Sequence, residues 1–217
     1  MYILSIDTTI YTSIALSIGK TIVAYHKNFE HQQQAETLPA LLQSILETQN
    51  ATYQDIDYIA VNVGPGSITG IRIGIAAVNA ILLAKPDIKC VAVDNFMLLR
   101  YRAMREYSNY DFVATIISWM PGKCYIQISD QVANVIIPPT FVGYEGVRDI
   151  LGQFSGTMVC IGSGVQYIYS YISTSSHVVV LLRCAELGAK TVLSVGHKMI
   201  ENNIFADTLE PFDINLI

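Results

Sequence analysis

The sequence predicts an α/β fold, because short runs of β-branched residues alternate with longer segments whose apolar residues recur at helical spacing. Within the first hundred residues the predicted order is three strands, then helix, strand, helix, strand and helix. Hydrophobic residues make up 52% of the 217 residues and charged residues 14%, which is typical of a protein with a sizeable core. We expect an N-terminal lobe over residues 1–105 and a smaller, less regular lobe over residues 106–217.

The chain begins with a predicted antiparallel meander. Residues 2–6 and 12–18 have the composition of strands, and Asp7-Thr8-Thr9 forms the turn after the first of them. Gly19-Lys20 is a turn signal before a third strand, TIVAYHK. A helix follows over residues 34–50, with leucines and Ile45 at helical spacing. Since proline disrupts a helix interior, Pro39 is expected in the first turn, with Thr37 as a candidate cap.

The next segments are a strand over residues 56–63, a glycine-rich loop and a helix, then a strand over residues 88–94 and the helix NFMLLRYRAMREY. In the second half, residues 112–118 and 123–129 predict a hairpin around Pro121-Gly122. VANVIIP is a candidate third strand, and MVCIGSGV is a strand that ends in a glycine turn. The segment CAELGAKTVLSVGHKMIEN predicts a helix, with interruptions expected at its glycines.

The loop VGPGSITG raises a choice between phosphate binding and packing. Backbone N–H groups of a glycine-rich turn before a helix can bind phosphate. The loop has neither the lysine of a Walker motif nor the G-x-G-x-x-G spacing, so this signal is weak. In the packing interpretation, Gly64 and Gly66 form a tight turn around Pro65, and Ser67 or Thr69 caps the helix.

The helix after this loop has two apolar faces. Ile71, Ile75, Val78 and Leu82 form the bulky stripe that is expected to pack on the sheet. A second face contains mostly small residues: Gly70, Ile73, Gly74, Ala77, Ala80, Ile81 and Ala84, which leaves a narrow strip with Arg72 and Asn79 for water. Helix glycines indicate the close approach of another backbone. That neighbour is either a helix of the same lobe or a partner protein, and together with the 34–49 helix this face is a candidate dimer surface.

Charge, cysteines and hydropathy exclude several classes of protein. The net charge of −5 argues against electrostatic binding of nucleic acid over a broad surface by this chain alone. The four cysteines lie far apart, which predicts buried thiols in a reducing compartment. We expect neither a signal peptide nor a membrane span, because Asp7 interrupts the N-terminus and the longest apolar run, residues 73–84, is too short. The expected location is the cytoplasm.

Four segments together resemble the TsaB family, also called YeaZ: ILSIDTT, SIAL, ETLPALLQSIL and VGPGSITGIRIGIAAVNAI. This family takes part in making threonylcarbamoyladenosine on bacterial tRNA. Its Gly-Pro-Gly-Ser-x-Thr-Gly-x-Arg-x-Gly string is highly specific. The resemblance covers residues 1 to about 100. Beyond them it is limited to the short segments IGSGVQ and LEP.

The resemblance implies a two-lobed actin-like ATPase (ASKHA) fold with a reduced second lobe. It also implies a non-catalytic subunit without a cofactor of its own, which pairs with the related subunit TsaD and is joined by an ATPase, TsaE. TsaD carries the metal and performs the transfer. The TsaB-type subunit contacts tRNA only as part of the complex. Homodimer formation by the free chain, and a nucleotide at the interface with TsaD, stay open.

The implied partner surface is built by the helix after the glycine-rich loop and by the helix that contains Leu38 and Pro39. Its expected residues are Leu38, Leu41, Gly64, Pro65, Gly66, Ser67, Thr69, Gly70, Arg72, Ile73, Gly74 and Ala77. The chain departs from the family pattern in three places. Gln33-Gln34 replaces His-Ser, Ser118-Trp119-Met120 replaces Asp-Ala-Arg, and Asp213-Ile214-Asn215 replaces Tyr-Leu-Arg.

An active ATPase of this fold needs a metal-binding Asp in each lobe and glycine turns near the phosphates. Asp7 is a candidate for the first, but Thr9 occupies the glycine position of its turn and Ser118 stands where the second Asp is required. Catalytic residues and metal ligands are therefore not expected. The alternative is an active ATP-dependent kinase-like or protease-like enzyme of the same fold. The arginines Arg100, Arg102 and Arg105 are either a tRNA contact or, as the better interpretation, a solvated helix face.

Overall fold

The computed structural model describes residues 1–29, 33–172, 178–182 and 187–212. The described residues divide into two compact units: 1–29, 33–98 and 187–212 form the first, and 99–172 with 178–182 form the second. Each unit contains one five-stranded mixed sheet. Within the described residues, no helix is both long enough and apolar enough to span a membrane.

The sheet of the first unit has the order β3-β2-β1-β4-β5. Its strands are β1 (Tyr2–Asp7), β2 (Thr12–Ile18), β3 (Thr21–Asn28), β4 (Ile56–Gly64) and β5 (Lys89–Asp94). The first three form the predicted antiparallel meander, whereas β4 runs parallel to β1 and β5 parallel to β4. Since β1 has neighbours on both edges, it brings Asp7 to the centre of one end of the sheet.

Helices cover both faces of this sheet. They are α1 (Gln34–Glu47), α2 (Ile68–Ala84) and α6 (Ala189–Glu201), while Tyr53–Asp55 is a short 3-10 helix. The helices α1 and α2 pack with Leu4, Ile6 and other buried residues of the sheet in one apolar core. Ser5 faces the other way and donates a hydrogen bond to the carbonyl of Ala189 (2.9 Å), which places α6 on the opposite face.

The second unit has the sheet order β10-β9-β6-β7-β8. Its strands are β6 (Phe112–Met120), β7 (Lys123–Asp130), β8 (Val135–Gly143), β9 (Thr157–Ile161) and β10 (Val178–Leu182). The helices are α4 (Tyr144–Leu151) and α5 (Val165–Ile172), and α3 (Asn95–Glu106) begins in the first unit and ends in the second. An apolar core joins α4 and α5 to one face of the sheet through Ile126, Val147 and Ile168.

The two sheets share one topology, in which an antiparallel three-stranded meander is followed by two parallel strands added beside its first strand. By this correspondence β6 matches β1. Asp7 at the end of β1 and Ser118 near the end of β6 therefore occupy corresponding places in the two units. The sequence shows no repeat by eye, so the duplication is visible only in the strand order.

The second half is more regular than the sequence predicted. The strand β8 continues through Pro138-Pro139 to Gly143, because proline is tolerated in an edge strand. We did not predict α4, α5 or β10. Helix α6 begins directly after Gly188, where one of the two interruptions was expected. It is continuous across Gly196, the other expected position. The sequence assigned it to the second lobe, but the structure places it in the first unit, where it packs on β1, β2, β4 and β5.

Helix α1 begins earlier than its proline suggested. Pro39 lies in the second turn, and Thr37 is not the cap: its hydroxyl donates a hydrogen bond to the carbonyl of Gln33 (2.8 Å). The buried side-chain amide of Gln34 donates to the carbonyls of Thr8 (3.3 Å) and Ile10 (3.4 Å). These tertiary hydrogen bonds hold the first residue of α1 against the turn after β1, and the helix has no side-chain cap.

Candidate functional site

The turn after β1 encloses a buried carboxylate. Asp7 is only 2% exposed, and its Oδ1 accepts hydrogen bonds from the backbone N–H (2.9 Å) and the hydroxyl (2.7 Å) of Thr9. Its Oδ2 accepts a hydrogen bond from Asn62 Nδ2 (3.0 Å). Burial raises the pKa of the Asp7 carboxyl, against the lowering effect of these hydrogen bonds and of the nearby positive charge of Lys27. Both carboxylate oxygens are thus bound to groups of the same unit.

Two asparagines connect this turn to the glycine-rich loop. Asn62 Nδ2 also donates to Asn95 Oδ1 (2.8 Å), and Asn62 Oδ1 accepts from the backbone N–H of Gly64 (3.0 Å). Asn95 Nδ2 donates to the carbonyl of Pro65 (2.7 Å). Both asparagines are buried, so this network fixes the loop against β1 and the start of α3 from inside the unit. Neither asparagine was predicted as a site residue, although a polar residue within or next to an apolar strand was the available signal.

The glycines of the loop and of α2 allow the turn Asp7-Thr8-Thr9 to approach closely. A Cβ atom on Gly66 would lie 2.9 Å from the Cβ of Thr9, and one on Gly74 would lie 2.5 Å from the hydroxyl of Thr8. At Gly70 the added atom would overlap the carbonyl oxygen of Thr8. Gly64 has a φ of 106°, which a residue with a side chain rarely adopts. These glycines therefore serve packing and backbone geometry.

Several backbone amides in and beside the glycine-rich loop are hydrogen-bonded within the unit. Ser67 caps α2 by accepting a hydrogen bond from the N–H of Gly70 (3.2 Å), as one of the two predicted alternatives. The N–H of Ser67 donates to the carbonyl of Thr9 (2.9 Å), and those of Thr9 and Gly64 donate to Asp7 and Asn62. A phosphate cradle requires such N–H groups to point outward unpaired. The packing interpretation therefore accounts for three amides of the loop, those of Gly64, Ser67 and Gly70.

The corresponding place in the second unit holds no carboxylate. The backbone N–H of Ser118 donates to the hydroxyl of Ser163 (3.1 Å), and its own hydroxyl is hydrogen-bonded to the hydroxyl of Tyr144 (3.1 Å). Throughout the described ranges, no three His, Cys, Asp or Glu side chains come together as a metal site. At these corresponding places, the first unit therefore has a buried carboxylate with both oxygens hydrogen-bonded, and the second unit has a serine.

The predicted partner residues separate by exposure. The buried ones are Leu38, Gly64, Pro65, Gly70 and Gly74; the partly buried ones are Leu41, Gly66, Ile73 and Ala77; the exposed ones are Ser67, Thr69 and Arg72. The small face of α2 is therefore not a docking surface at its glycines, because Thr8 already occupies the space beside them. The buried stripe of Ile71, Ile75 and Val78 is confirmed, and Leu82 is partly buried.

The exposed arc of α2 is wider and more apolar than the strip expected for water. It contains Ile68, Thr69, Arg72, Ala76, Asn79, Ala80 and Leu83, which we call the α2 arc. Leu83 is 85% exposed and Ile68 is 53% exposed. The neighbouring helix α1 exposes Ala35, Pro39 and Ala40. Helical spacing alone places Ile68, Ala76 and Leu83 beside Arg72 and Asn79, so this signal was present in the sequence.

The remaining candidates have intramolecular contacts. Arg102 forms an ion pair with Glu106 (2.6 Å), and the guanidinium of Arg105 lies 5.9 Å from the ring centroid of Tyr101. Cys90, Cys124 and Cys160 are buried free thiols, as predicted. The fourth cysteine, Cys184, lies outside the described residues, as do Asp213, Ile214 and Asn215.

Comparisons with known proteins give matches to two related families, TsaD and TsaB. The family model "tRNA N6-adenosine threonylcarbamoyltransferase" (TsaD) matches residues 27–130. The tRNA threonylcarbamoyladenosine biosynthesis protein TsaB of Escherichia coli is 30% identical over 177 residues, which cover 76% of this chain and 73% of that protein. A relative with this identity and coverage shares the family as well as the fold.

Solved structures give the same fold. YeaZ from Pseudomonas aeruginosa superposes with a TM-score of 0.74 at 21% identity and covers 94% of both chains. A putative N-acetylmannosamine kinase from Listeria monocytogenes has a TM-score of 0.51 at 12% identity, covering 94% of this chain and all of that one. The duplicated sheet topology is accordingly that of the actin-like ATPase (ASKHA) fold. By its sequence relationship to the Escherichia coli protein, this chain belongs to the TsaB (YeaZ) family.

Proposed function

We propose that this chain is a non-catalytic subunit in the biosynthesis of threonylcarbamoyladenosine on tRNA. In this proposal it pairs with a TsaD-like subunit, which performs the transfer, and a TsaE-like ATPase joins the pair. The observation that carries the proposal is the closed turn after β1: Asp7 is buried and both of its oxygens are hydrogen-bonded within the unit. Family membership supplies the pathway, and the turn supports the absence of catalysis.

Phosphoryl transfer needs a metal ion and amides that can reach the phosphates. Here the amides of Thr9, Gly64 and Ser67 are paired inside the unit, and Ser118 replaces the carboxylate expected in the second unit. Opening the turn for a nucleotide would break several buried hydrogen bonds, each costing about 1–3 kcal/mol when a partner is left unsatisfied. The proposal therefore gives the chain no cofactor and no turnover of its own.

The α2 arc, with the exposed part of α1, is the proposed surface for the TsaD-like subunit. The α2 arc exposes Leu83 and Ile68, with small residues and Arg72 between them. This is the composition of a protein interface. The match of residues 27–130 to the TsaD family model supports pairing between related folds, since this range includes both helices. In the absence of the partner, the same surface is proposed to form a homodimer.

Contact with tRNA is proposed to require the complex. The chain has a net charge of −5, whereas phosphate binding is driven by Lys and Arg. Of the arginine cluster, Arg102 is neutralised by Glu106. Filter binding at physiological salt is expected to show weak retention of tRNA by the free chain and strong retention after addition of the TsaD-like subunit.

The test of pairing is co-purification with the TsaD-like subunit of the same organism. We expect Leu83→Glu and Ile68→Glu to weaken the complex at least tenfold, because each places a charge in the α2 arc. Ile204→Glu is the matched control: its side chain is 51% exposed outside the arc, and its variant should pair like the wild type.

Two results would contradict the proposal. Wild-type pairing by both arc variants would exclude the α2 arc as the interface. Hydrolysis of Mg-ATP by the purified chain, abolished by Asp7→Ala in a preparation free of contaminating ATPases, would establish the kinase-like alternative instead.

A further inference from the structure

Three aromatic side chains lie in a row across neighbouring strands of the second unit. Trp119 on β6 and Tyr125 on β7 have ring centroids 5.6 Å apart, and those of Tyr125 and Phe141 on β8 are 4.8 Å apart. The ammonium group of Lys123 lies 5.2 Å from the ring centroid of Phe141. We call the three aromatic residues, together with Lys123, the aromatic row.

Strand register explains why the row forms. Tyr125 is directly opposite Phe141 on one side and Ile117 on the other. Trp119 lies at a register shift between Ser118 and Met120, where it has no partner on β7. Its ring contact with Tyr125 shows that its side chain is on the Tyr125 face of the sheet. The apolar core of this unit uses the opposite face of the sheet, with Cys124, Ile126 and Val142. The aromatic row is therefore separate from the core that α4 and α5 cover.

The ends of the row remain accessible to solvent. Phe141 is 39% exposed, Trp119 is partly exposed, and the adjacent Met120 is 44% exposed, while Tyr125 between the two rings is buried. Large aromatic side chains contribute most when they are buried, so exposed rings beside an exposed methionine mark a surface for recognition. Lys123 takes part in none of the ion pairs between described residues, so its charge can face an anion.

Backbone pairing with another chain is disfavoured at this edge. Strand β8 is the outermost strand of its sheet, but it contains Pro138 and Pro139 in succession. Proline has no N–H to donate, and prolines in an edge strand oppose the addition of a further strand. Recognition at the row therefore depends on side chains.

We propose that the aromatic row is a stacking surface for unpaired RNA bases, with Lys123 beside the adjoining phosphate. Aromatic side chains on adjacent antiparallel strands, next to a cation, bind single-stranded nucleic acid by base stacking. The choice of RNA as the ligand rests on the proposed function, which brings a tRNA to the complex. A single lysine gives little affinity on its own, so the row adds contacts to a tRNA that the complex already holds.

Trp119 makes the proposal directly measurable, because it is the only tryptophan in the chain. Because the row alone binds weakly, we expect single-stranded oligoribonucleotides at high concentration to quench its fluorescence in the full-length protein, and a duplex of the same length to leave it unchanged. Phe141→Ala should weaken the quenching titration roughly tenfold, since one base–aromatic stack is worth about 1–3 kcal/mol. Tyr169→Ala is the matched control, because Tyr169 is an aromatic residue 63% exposed on α5 of the same unit.

A second measurement uses the reconstituted complex with the TsaD-like subunit. Trp119→Ala and Phe141→Ala should weaken its affinity for tRNA about tenfold each without changing co-purification of the two subunits. Thermal melts equal to that of the wild type verify that the variants are folded; if Trp119→Ala does not fold, Trp119→Phe, which keeps a ring, should retain tRNA affinity.

The proposal is overturned if single-stranded RNA fails to quench Trp119, or if Phe141→Ala and Tyr169→Ala titrate alike. It is also overturned if Phe141→Ala loses the TsaD-like subunit while RNA quenching of Trp119 is unchanged, which would make the row a protein contact. Failure of the proposed function is distinct, because it would appear as loss of pairing with the TsaD-like subunit, whereas the fluorescence titration uses the free chain.

Discussion

Gly70 lies directly against the backbone of Thr8, so closely that a Cβ atom at Gly70 would overlap the Thr8 carbonyl oxygen. The same atom would lie 2.9 Å from Oε1 of Gln34, the residue that anchors the start of α1. One glycine thus lets the turn after β1, helix α1 and helix α2 meet at a single point. The signature glycines of this family are explained here by packing within the unit.

The first prediction concerns this contact. Gly70→Ala should lower the free energy of unfolding by about 1–3 kcal/mol or more, because the added methyl group meets backbone that cannot move aside easily. Gly146→Ala is the control: this glycine lies in α4, where the nearest atom to an added Cβ is 3.7 Å away. Alanine there should stabilise the helix by up to about 1 kcal/mol. Chemical denaturation measures both, and equal effects would contradict the packing argument.

The second prediction concerns Asp7 and pH. Because burial raises the pKa of this carboxyl above its ordinary value of 3.8, the folded state binds its proton more tightly than the unfolded state does. The contribution of Asp7 to stability is therefore largest at low pH and is lost as the pH rises through the folded pKa.

Asp7→Asn removes this titration, so the stability of the wild type relative to Asp7→Asn should decrease as the pH rises above 3.8 and then level off. Urea unfolding of both proteins over a series of pH values gives the difference directly. An advantage of the wild type that grows with pH would mean that hydrogen bonds, and not burial, dominate at Asp7.

The third prediction concerns the thiols. Burial raises the pKa of Cys90 and of Cys160 to about 12, and that of Cys124 to about 11. Since the thiolate is the reactive form, none of the three should be modified by a thiol reagent at neutral pH in the folded protein. A Cys184→Ser variant isolates them. It should release no colour with a disulfide reagent until denaturant is added, when three thiols react; rapid reaction in buffer would contradict their burial.

Local patterns predicted the elements of the first unit well. The strand over residues 12–18 and the buried stripe of α2 follow from periods of two and of 3.6 residues, which depend only on nearby residues. The amphipathic helix α4 was detectable by the same rule, since Tyr144, Val147, Ile150 and Leu151 are spaced as one face.

Contacts between distant residues could not be predicted in this way. The sequence shows that Gly70 and Gly74 need a close neighbour, but not that Thr8, about sixty residues earlier, is that neighbour. Likewise, nothing local assigns α6 to the first sheet, where the hydroxyl of Ser13 accepts a hydrogen bond from the N–H of Ala189 (2.9 Å). The candidate site is made of such long-range contacts, so its residue types were predictable and its geometry was not.

The last prediction concerns the segment after α6, which returns to the first sheet. The N–H of Ala206 donates to the carbonyl of Cys90 (2.9 Å), and that of Phe212 donates to the carbonyl of Val63 (2.8 Å), directly before the glycine-rich loop. The ring of Phe212 lies 5.6 Å from that of Phe96, which is fully buried, and it packs against the core. Phe212 therefore connects this segment to the loop and to the start of α3.

Phe212→Ala should lower the free energy of unfolding by about 2–3 kcal/mol, somewhat less than for a fully buried phenylalanine, because its ring is partly exposed. Ile204→Ala, in the same segment but 51% exposed, should change it by no more than about 0.5 kcal/mol. If the segment holds the loop in place, hydrogen exchange at the Gly64 amide should also accelerate in Phe212→Ala and not in Ile204→Ala. A loss of stability without faster exchange at Gly64 would mean that Phe212 stabilises the core but does not support the loop.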